Sequence, residues 1–264
     1  LGIVTIEGNR HTLSRGDIQE NNGLFHLSPG TNPIPRPGYE SLSIKNAAGY
    51  YSKESMDLLD LLIGSEGTLA LFYEIGIVLS PAQEIVAGLS FFPARADAFA
   101  FASFLRSRQS VCAIEYFDRT ALSLLDSLRE NSSLTIPHFP VAQSCAVYWE
   151  HIESAEQSFE DEMEEWEMSL AAHNSSFDLT WSGFEPGEIE RLKTFRHAVP
   201  EAINTKIAHL QHSWPQIRKI GTDTAFDSET FEPAFNKQIQ LIENNGIEHV
   251  CFGHLGDFHL HINM

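Results

Sequence analysis

The sequence predicts an α+β fold in which a mainly antiparallel sheet carries covering helices. Two features point there: strand-like and helix-like runs mix along the chain, and no Gly-rich βαβ fingerprint of a doubly wound parallel sheet accompanies them. With 264 residues, 42% of them hydrophobic, the chain can bury a real core in one large domain or two modest ones.

The opening Leu1-Gly2-Ile3-Val4-Thr5-Ile6 is β-branched and runs into the turn-like Glu7-Gly8-Asn9, so a strand and a turn are expected. Residues 20–40 gather Pro29, Pro33, Pro35, Pro37 and several glycines and asparagines; such a segment sustains neither helix nor ladder bonds and is expected to be loop. Leu58, Leu59, Leu61 and Leu62 form a short apolar patch leading into a glycine loop at residues 63–69 and an apolar stretch that ends at Pro81. Beyond it the expected order is strand 85–92, helix 96–108 with Phe101, Phe104 and Leu105 on one face, strand 113–117, helix 120–129 and strand 145–150. Ile152, Ala155, Phe159, Met163, Trp166 and Leu170 then recur at three- and four-residue steps, predicting a helix capped by Ser154 whose many glutamates form a solvated face. Four more elements are expected: a strand over 177–181, a helix over 186–206 kinked or broken at Pro200, a helix over 228–245 stopped by Asn244, Asn245 and Gly246, and a last strand over 249–264.

Lys plus Arg number 17 against 36 Asp plus Glu, a formal net charge of −19. Phosphate backbones and anionic membrane surfaces are repelled on average, which argues against nucleic acid as a partner. An anionic substrate can still be drawn into a local basic pocket, made from few residues. Cys112, Cys145 and Cys251 are odd in number and widely spaced, against both a disulfide framework and a CxxC site, so a reducing, cytoplasmic compartment is expected. No apolar run approaches the roughly 18 residues of a membrane span. The chain opens at Leu1 without Met and stops at Met264 directly after a strand-like run, which reads as a segment of a longer protein.

Two stretches carry chemical information. The first is Lys45-Asn46-Ala47-Ala48-Gly49-Tyr50 together with Ile63-Gly64-Ser65-Glu66-Gly67-Thr68-Leu69, where glycines let backbone amides approach a ligand and small hydroxyls can donate to it. A plain turn that needs positive φ explains those glycines equally well. The second stretch is Phe252-Gly253-His254-Leu255-Gly256-Asp257-Phe258-His259-Leu260-His261-Ile262-Asn263. Three imidazoles and a carboxylate within eight positions suit metal ligation or acid–base work, against the bland reading of surface histidines on a strand. His259 and His261 share a strand face, whereas His254 joins them only if the chain bends at Gly256-Asp257.

Taken together, the two stretches resemble the signatures of FAD-linked oxidases related to vanillyl-alcohol oxidase, in the D-lactate, glycolate and D-2-hydroxyglutarate dehydrogenase branch. That branch carries G-S-E-G-T-L-G-I-I-T-E, and residues 64–74 here read G-S-E-G-T-L-A-L-F-Y-E. It also carries G-H-x-G-D-G-N-L-H, matched by residues 253–261, while Phe195-Arg196 and residues 219–223 resemble its intermediate blocks. The resemblance implies that residues 1–80 are the C-terminal part of an FAD-binding domain and residues 81–264 a substrate domain. It lays Gly64, Ser65, Glu66, Gly67 and Thr68 along FAD, makes His254 and His261 ligands of a divalent metal such as zinc, and makes Arg196 the clamp for a substrate carboxylate.

The implied reaction oxidises a small 2-hydroxy acid. Its electrons pass to a quinone, an electron-transfer flavoprotein or an iron–sulfur protein, a partner through which the protein could sit peripherally on a membrane. The chain departs from the pattern at Ala70, Pro200, Phe258 and His259, where the branch has glycine, a small hydroxyl residue, glycine and asparagine. The branch's pyrophosphate loop would lie before Leu1 and its E-H-G block after Met264, so this segment alone is expected not to turn over. Two rival readings are a metal-dependent hydrolase built on His254, His259 and His261, and a noncatalytic interaction domain using the acidic helix.

Overall fold

A computed structural model describes residues 1–29, 32–129, 139–140, 143–154 and 158–264, in two compact units, Leu1–Pro81 and Ala82–Met264. In the first unit β1 (Gly2–Val4) turns into antiparallel β2 (Arg10–Thr12), and β3 (Leu24–Phe25) pairs with β4 (Ile34–Pro35). The short helix α1 (Leu58–Leu62) follows, and β5 (Leu71–Glu74) returns to pair with β1. The β3–β4 ladder lies inside the stretch expected to be loop throughout. The Pro35 carbonyl can still accept although its nitrogen cannot donate, and the ladder ends after two residues. Helix α1 begins with a capping box, in which Asp57 accepts from the Leu59 N–H and Asp60 accepts from the Asp57 N–H. Its four leucines are buried with Ile3, Phe25 and Met56 in the core of this unit.

The second unit runs β6 (Ile85–Phe92), α2 (Arg95–Arg106), β7 (Val111–Asp118), α3 (Arg119–Arg129), β8 (Cys145–Ile152), α4 (Phe159–Ala172), β9 (Thr180–Gly183), α5 (Pro186–Ser213), α6 (Phe231–Asn244), β10 (Val250–His254) and β11 (His259–Asn263). Among the described residues its strands form one antiparallel sheet in the order β11-β10-β7-β8-β6-β9. The expected α+β class is therefore observed. Alternation along β8 explains the layering: Val147 and Trp149 enter one core with α2, α4 and α6, while Ala146 and Tyr148 enter the opposite core with α3 and α5. Trp149 and Trp166 meet edge to face at 4.6 Å in the first core, one of several aromatic pairs each adding about 0.5–1.5 kcal/mol beyond burial.

Four expectations are corrected. Helix α5 runs unbroken through Pro200 to Ser213, because the flanking Ala198, Val199, Ala202 and Ile203 are buried, and that packing offsets the lost hydrogen bond. The acidic helix starts at Phe159 with Ser158 as its cap, and Ile152 belongs to β8; the expected contribution of Ala155 lies outside the described residues. The strand expected over 177–181 is a 3-10 turn, Phe177–Leu179, followed by β9. The last strand is a hairpin, with a 3-10 turn at Leu255–Asp257 between β10 and β11.

Glu162 is the buried member of the acidic face of α4. It accepts from Ser110 Oγ and Trp166 Nε1, both at 3.0 Å, a structural role. All three cysteines are free, and burial pushes the Cys145 thiol up to about 12 and that of Cys251 well above its ordinary value, leaving both unreactive. Among the described residues no helix is long and apolar enough to cross a membrane.

Candidate functional site

In the first unit the two halves of the glycine-rich constellation meet. Tyr50 Oη lies 2.8 Å from Thr68 Oγ1, which also donates to the Ser65 carbonyl. A cavity of about 510 Å³ runs between residues 41–51 and the Ile63-Gly64 turn. Gly64 and Gly67 have φ of +79° and +76°, which favours glycine at both, and a Cβ at either would meet nothing within 4 Å, so the space beside the turn is open. Ser65 is buried, and its Oγ has no partner among the described residues.

In the second unit the site lies on the α5 face of the sheet. Antiparallel register aligns His259 with His254, His254 with Glu115 and Glu115 with Tyr148, so one polar row crosses four strands. Helix α5 supplies Arg196 to that row. Its Nη2 donates to Glu115 Oε1 at 2.5 Å, and its Nη1 stands 3.7 Å from Glu150 Oε1. Glu115 Oε1 also accepts from His254 Nδ1 at 2.9 Å. A carboxylate only accepts, so Nδ1 carries the proton, and in the neutral ring Nε2 is the nitrogen with the lone pair. Arg106, Glu115, Arg196, His254 and Asp257 line a cavity of about 290 Å³. Glu150 further accepts from Tyr148 Oη at 2.5 Å, and burial pushes that phenol upward.

The hairpin brings the other imidazoles to the same face. Ring centroids of His254 and His261 are 5.7 Å apart, and those of His259 and His261 are 4.6 Å apart. Gly253 has φ +134°, and a Cβ there would lie 2.9 Å from His261 Cδ2, so glycine lets that ring fold across the strand. Asp223 joins from outside the hairpin, with Oδ1 2.6 Å from His259 Nε2 and 3.7 Å from His261 Nδ1. Burial, and then the neighbouring His259, hold the His261 imidazole below the usual histidine range, favouring its neutral form. The structure thus places Arg196 and His254 at one carboxylate, and His261 with His259 and Asp223.

Residues 81–264 match the family model described as FAD linked oxidases, C-terminal domain. The chain belongs to the FAD-linked oxidases. Membership supports FAD-dependent oxidoreductase activity and lends nothing to the hydrolase alternative. The residues of this FAD-linked oxidase fit such a cofactor at residues 64–68, where the orphaned Ser65 hydroxyl and the open glycine turn offer a donor and room for a ligand.

Reading the sequence of this oxidase missed Glu115, Glu150 and Asp223 as site residues. Glu115 had one signal: it is an ionisable residue inside the otherwise apolar Ile114-Glu115-Tyr116-Phe117, where a strand buried on both faces has no place for an unpaired charge. Asp223 stood at the end of a recognised block, but nothing local pointed it at the histidines.

Proposed function

We propose that this FAD-linked oxidase oxidises a small 2-hydroxy acid of the D-lactate, glycolate or D-2-hydroxyglutarate type. Residues 1–80 then serve as part of the flavin-binding domain and residues 81–264 as the substrate domain. One observation carries the reading: Arg196 and His254, far apart in sequence, line a single cavity and share the Glu115 carboxylate. Its volume of about 290 Å³ stands at the lower edge of ligand sites, about 300 Å³, and suits a small acid. Arg106 and Arg196 line the cavity together with the carboxylates of Glu115 and Asp257, so a substrate carboxylate meets cationic groups that are already partly paired.

Arg196 orients the substrate carboxylate, competing for it with Glu115 and Glu150. With Nδ1 committed to Glu115, His254 receives the hydroxyl proton on Nε2. Bound FAD supplies the hydride acceptor. The electrons leave to a quinone, an electron-transfer flavoprotein or an iron–sulfur protein.

Anaerobic mixing of the flavin-loaded protein with glycolate, D-lactate and D-2-hydroxyglutarate tests the proposal. At least one acid should abolish the visible absorbance of oxidised flavin, and Arg196→Met should raise the half-saturating concentration at least 10-fold. If simple alcohols or amines bleach the flavin and none of the acids does, the substrate class is wrong.

A further inference from the structure

We propose that Arg106 is a second anion-binding group of the cavity that holds Arg196 and His254, and that it selects a 2-hydroxy acid bearing a second carboxylate. The inference rests on the 2-hydroxy-acid reading above and narrows it to dicarboxylic substrates.

Arg106 is the last residue of α2 and lines the cavity with Glu115, Arg196 and His254. Two contacts on the turn between β10 and β11 fix it there. Its Nη1 donates to the Leu255 carbonyl at 3.2 Å, and its guanidinium carbon stands 4.4 Å from the centroid of the Phe258 ring. Phe258 is braced in turn by Phe231 of α6, with ring centroids 5.4 Å apart, and holds φ +54°, a costly conformation for a residue with a Cβ. The hydroxy-acid branch has glycine at this position, so the aromatic seat under Arg106 belongs to this chain and is not implied by the resemblance.

The two arginines differ in their commitments. Arg196 is ion-paired with Glu115 and has Glu150 close by. Among the described residues Arg106 makes no ion pair, and of the several N–H donors of its guanidinium one is spent on Leu255. Burial holds that guanidinium below the ordinary arginine range, opposed by the field of Glu232 in the first turn of α6. A partly desolvated cation with unused donors at a cavity wall is suited to an anion that enters the cavity. Arg106 comes from the helical layer of α2 and Arg196 from that of α5, on opposite faces of the sheet, and each is anchored to a different wall: the hairpin turn for one, the glutamates of β7 and β8 for the other. Each guanidinium can therefore serve its own anion, and a short chain with a carboxylate at both ends satisfies the two together. Glu115 and Asp257 on the same walls favour a singly charged carboxylate over a phosphate, which carries about −1.5 to −2 at neutral pH.

The test is calorimetric binding of glutarate, monomethyl glutarate and butyrate to the flavin-loaded protein; none of the three has a 2-hydroxyl to oxidise. Wild type should bind glutarate about 10-fold or more tighter than either of the others, the worth of one charge-assisted pair. In Arg106→Met that preference should fall to about twofold or less, and Arg106→Lys, which keeps the charge, should restore part of it. Circular dichroism separates a lost contact from lost folding, and the wild-type comparison of glutarate with its monomethyl ester needs no variant at all. Equal binding of those two by wild type, or an unchanged preference in a folded Arg106→Met, would overturn the assignment. Flavin bleaching keeps this inference apart from the reading beneath it. If no 2-hydroxy acid bleaches the flavin, that reading fails; if D-lactate bleaches it with a kcat/KM as high as that of D-malate and D-2-hydroxyglutarate, the reading stands and the role of Arg106 is wrong.

Discussion

His254 Nδ1 and Glu115 Oε1 lie 2.9 Å apart as directly opposed residues of neighbouring strands, so sheet register itself fixes the tautomer of the imidazole that faces the cavity. The same carboxylate oxygen holds Arg196, and Glu115 is buried. A single acid therefore sets the position of both groups.

Glu115→Gln should accordingly reduce kcat about 10- to 100-fold, from the roughly 1.5–3 kcal/mol of a hydrogen bond to a charged group, while flavin content stays at wild-type level. Glu115→Asp should restore part of the loss. Steady-state kinetics with the best acid reads both; equal kcat in wild type and Glu115→Gln would remove Glu115 from the site.

Pro200 sits four residues after Arg196, and its ring nitrogen cannot donate to the Arg196 carbonyl as a helical N–H would. Pro200→Ala supplies that donor and should stabilise the fold by about 1–3 kcal/mol in urea unfolding. It also tightens the helical turn that carries Arg196, so KM for the acid should rise. Unchanged stability would mean that the surrounding packing already compensates in full.

Asp118 ties three elements together: it accepts from the Ala121 N–H at 2.7 Å, capping α3, and from the Cys251 N–H at 2.9 Å on β10. Burial pushes its carboxyl up to about 6 from an ordinary 3.8, even against these two donors. The folded state therefore binds this proton more tightly than the unfolded chain. Its contribution to stability is largest below pH 4 and declines as pH rises from about 4 to about 6. Asp118→Asn removes the titration, so the stability of wild type relative to the variant should fall over that window, by an amount on the order of 2 kcal/mol. Urea unfolding of both proteins at pH 4 and pH 7 measures it, and a constant difference contradicts the assignment.

Local pattern carried most of the elements. Strand β6 occupies residues 85–92, the range expected, because an apolar run of that length between turn signals has few other options. The terminal hairpin was legible only in part: alternation continues on both sides of a three-residue turn, so period alone reads one strand where there are two. Phe258 obscured the turn further. It adopts φ +54° where glycine would be at ease, supported by stacking beneath Arg106 and packing on Phe231, neither visible in sequence. Ser154 and Ser158 both precede acidic residues, and only the chain path out of β8 chooses between them. The partnerships of Glu115 with Arg196 and His254 depend on strand order, which composition and periodicity do not encode.

The most direct measurement is the rate of flavin reduction in a single anaerobic turnover, comparing a 2-hydroxy acid with its α-methyl analogue, which keeps the carboxylate and hydroxyl but has no hydrogen on the α-carbon. The acid should bleach the flavin and the analogue should bind without bleaching it. A flavin that stays oxidised with every 2-hydroxy acid, or that the α-methyl analogue reduces equally fast, would contradict the account.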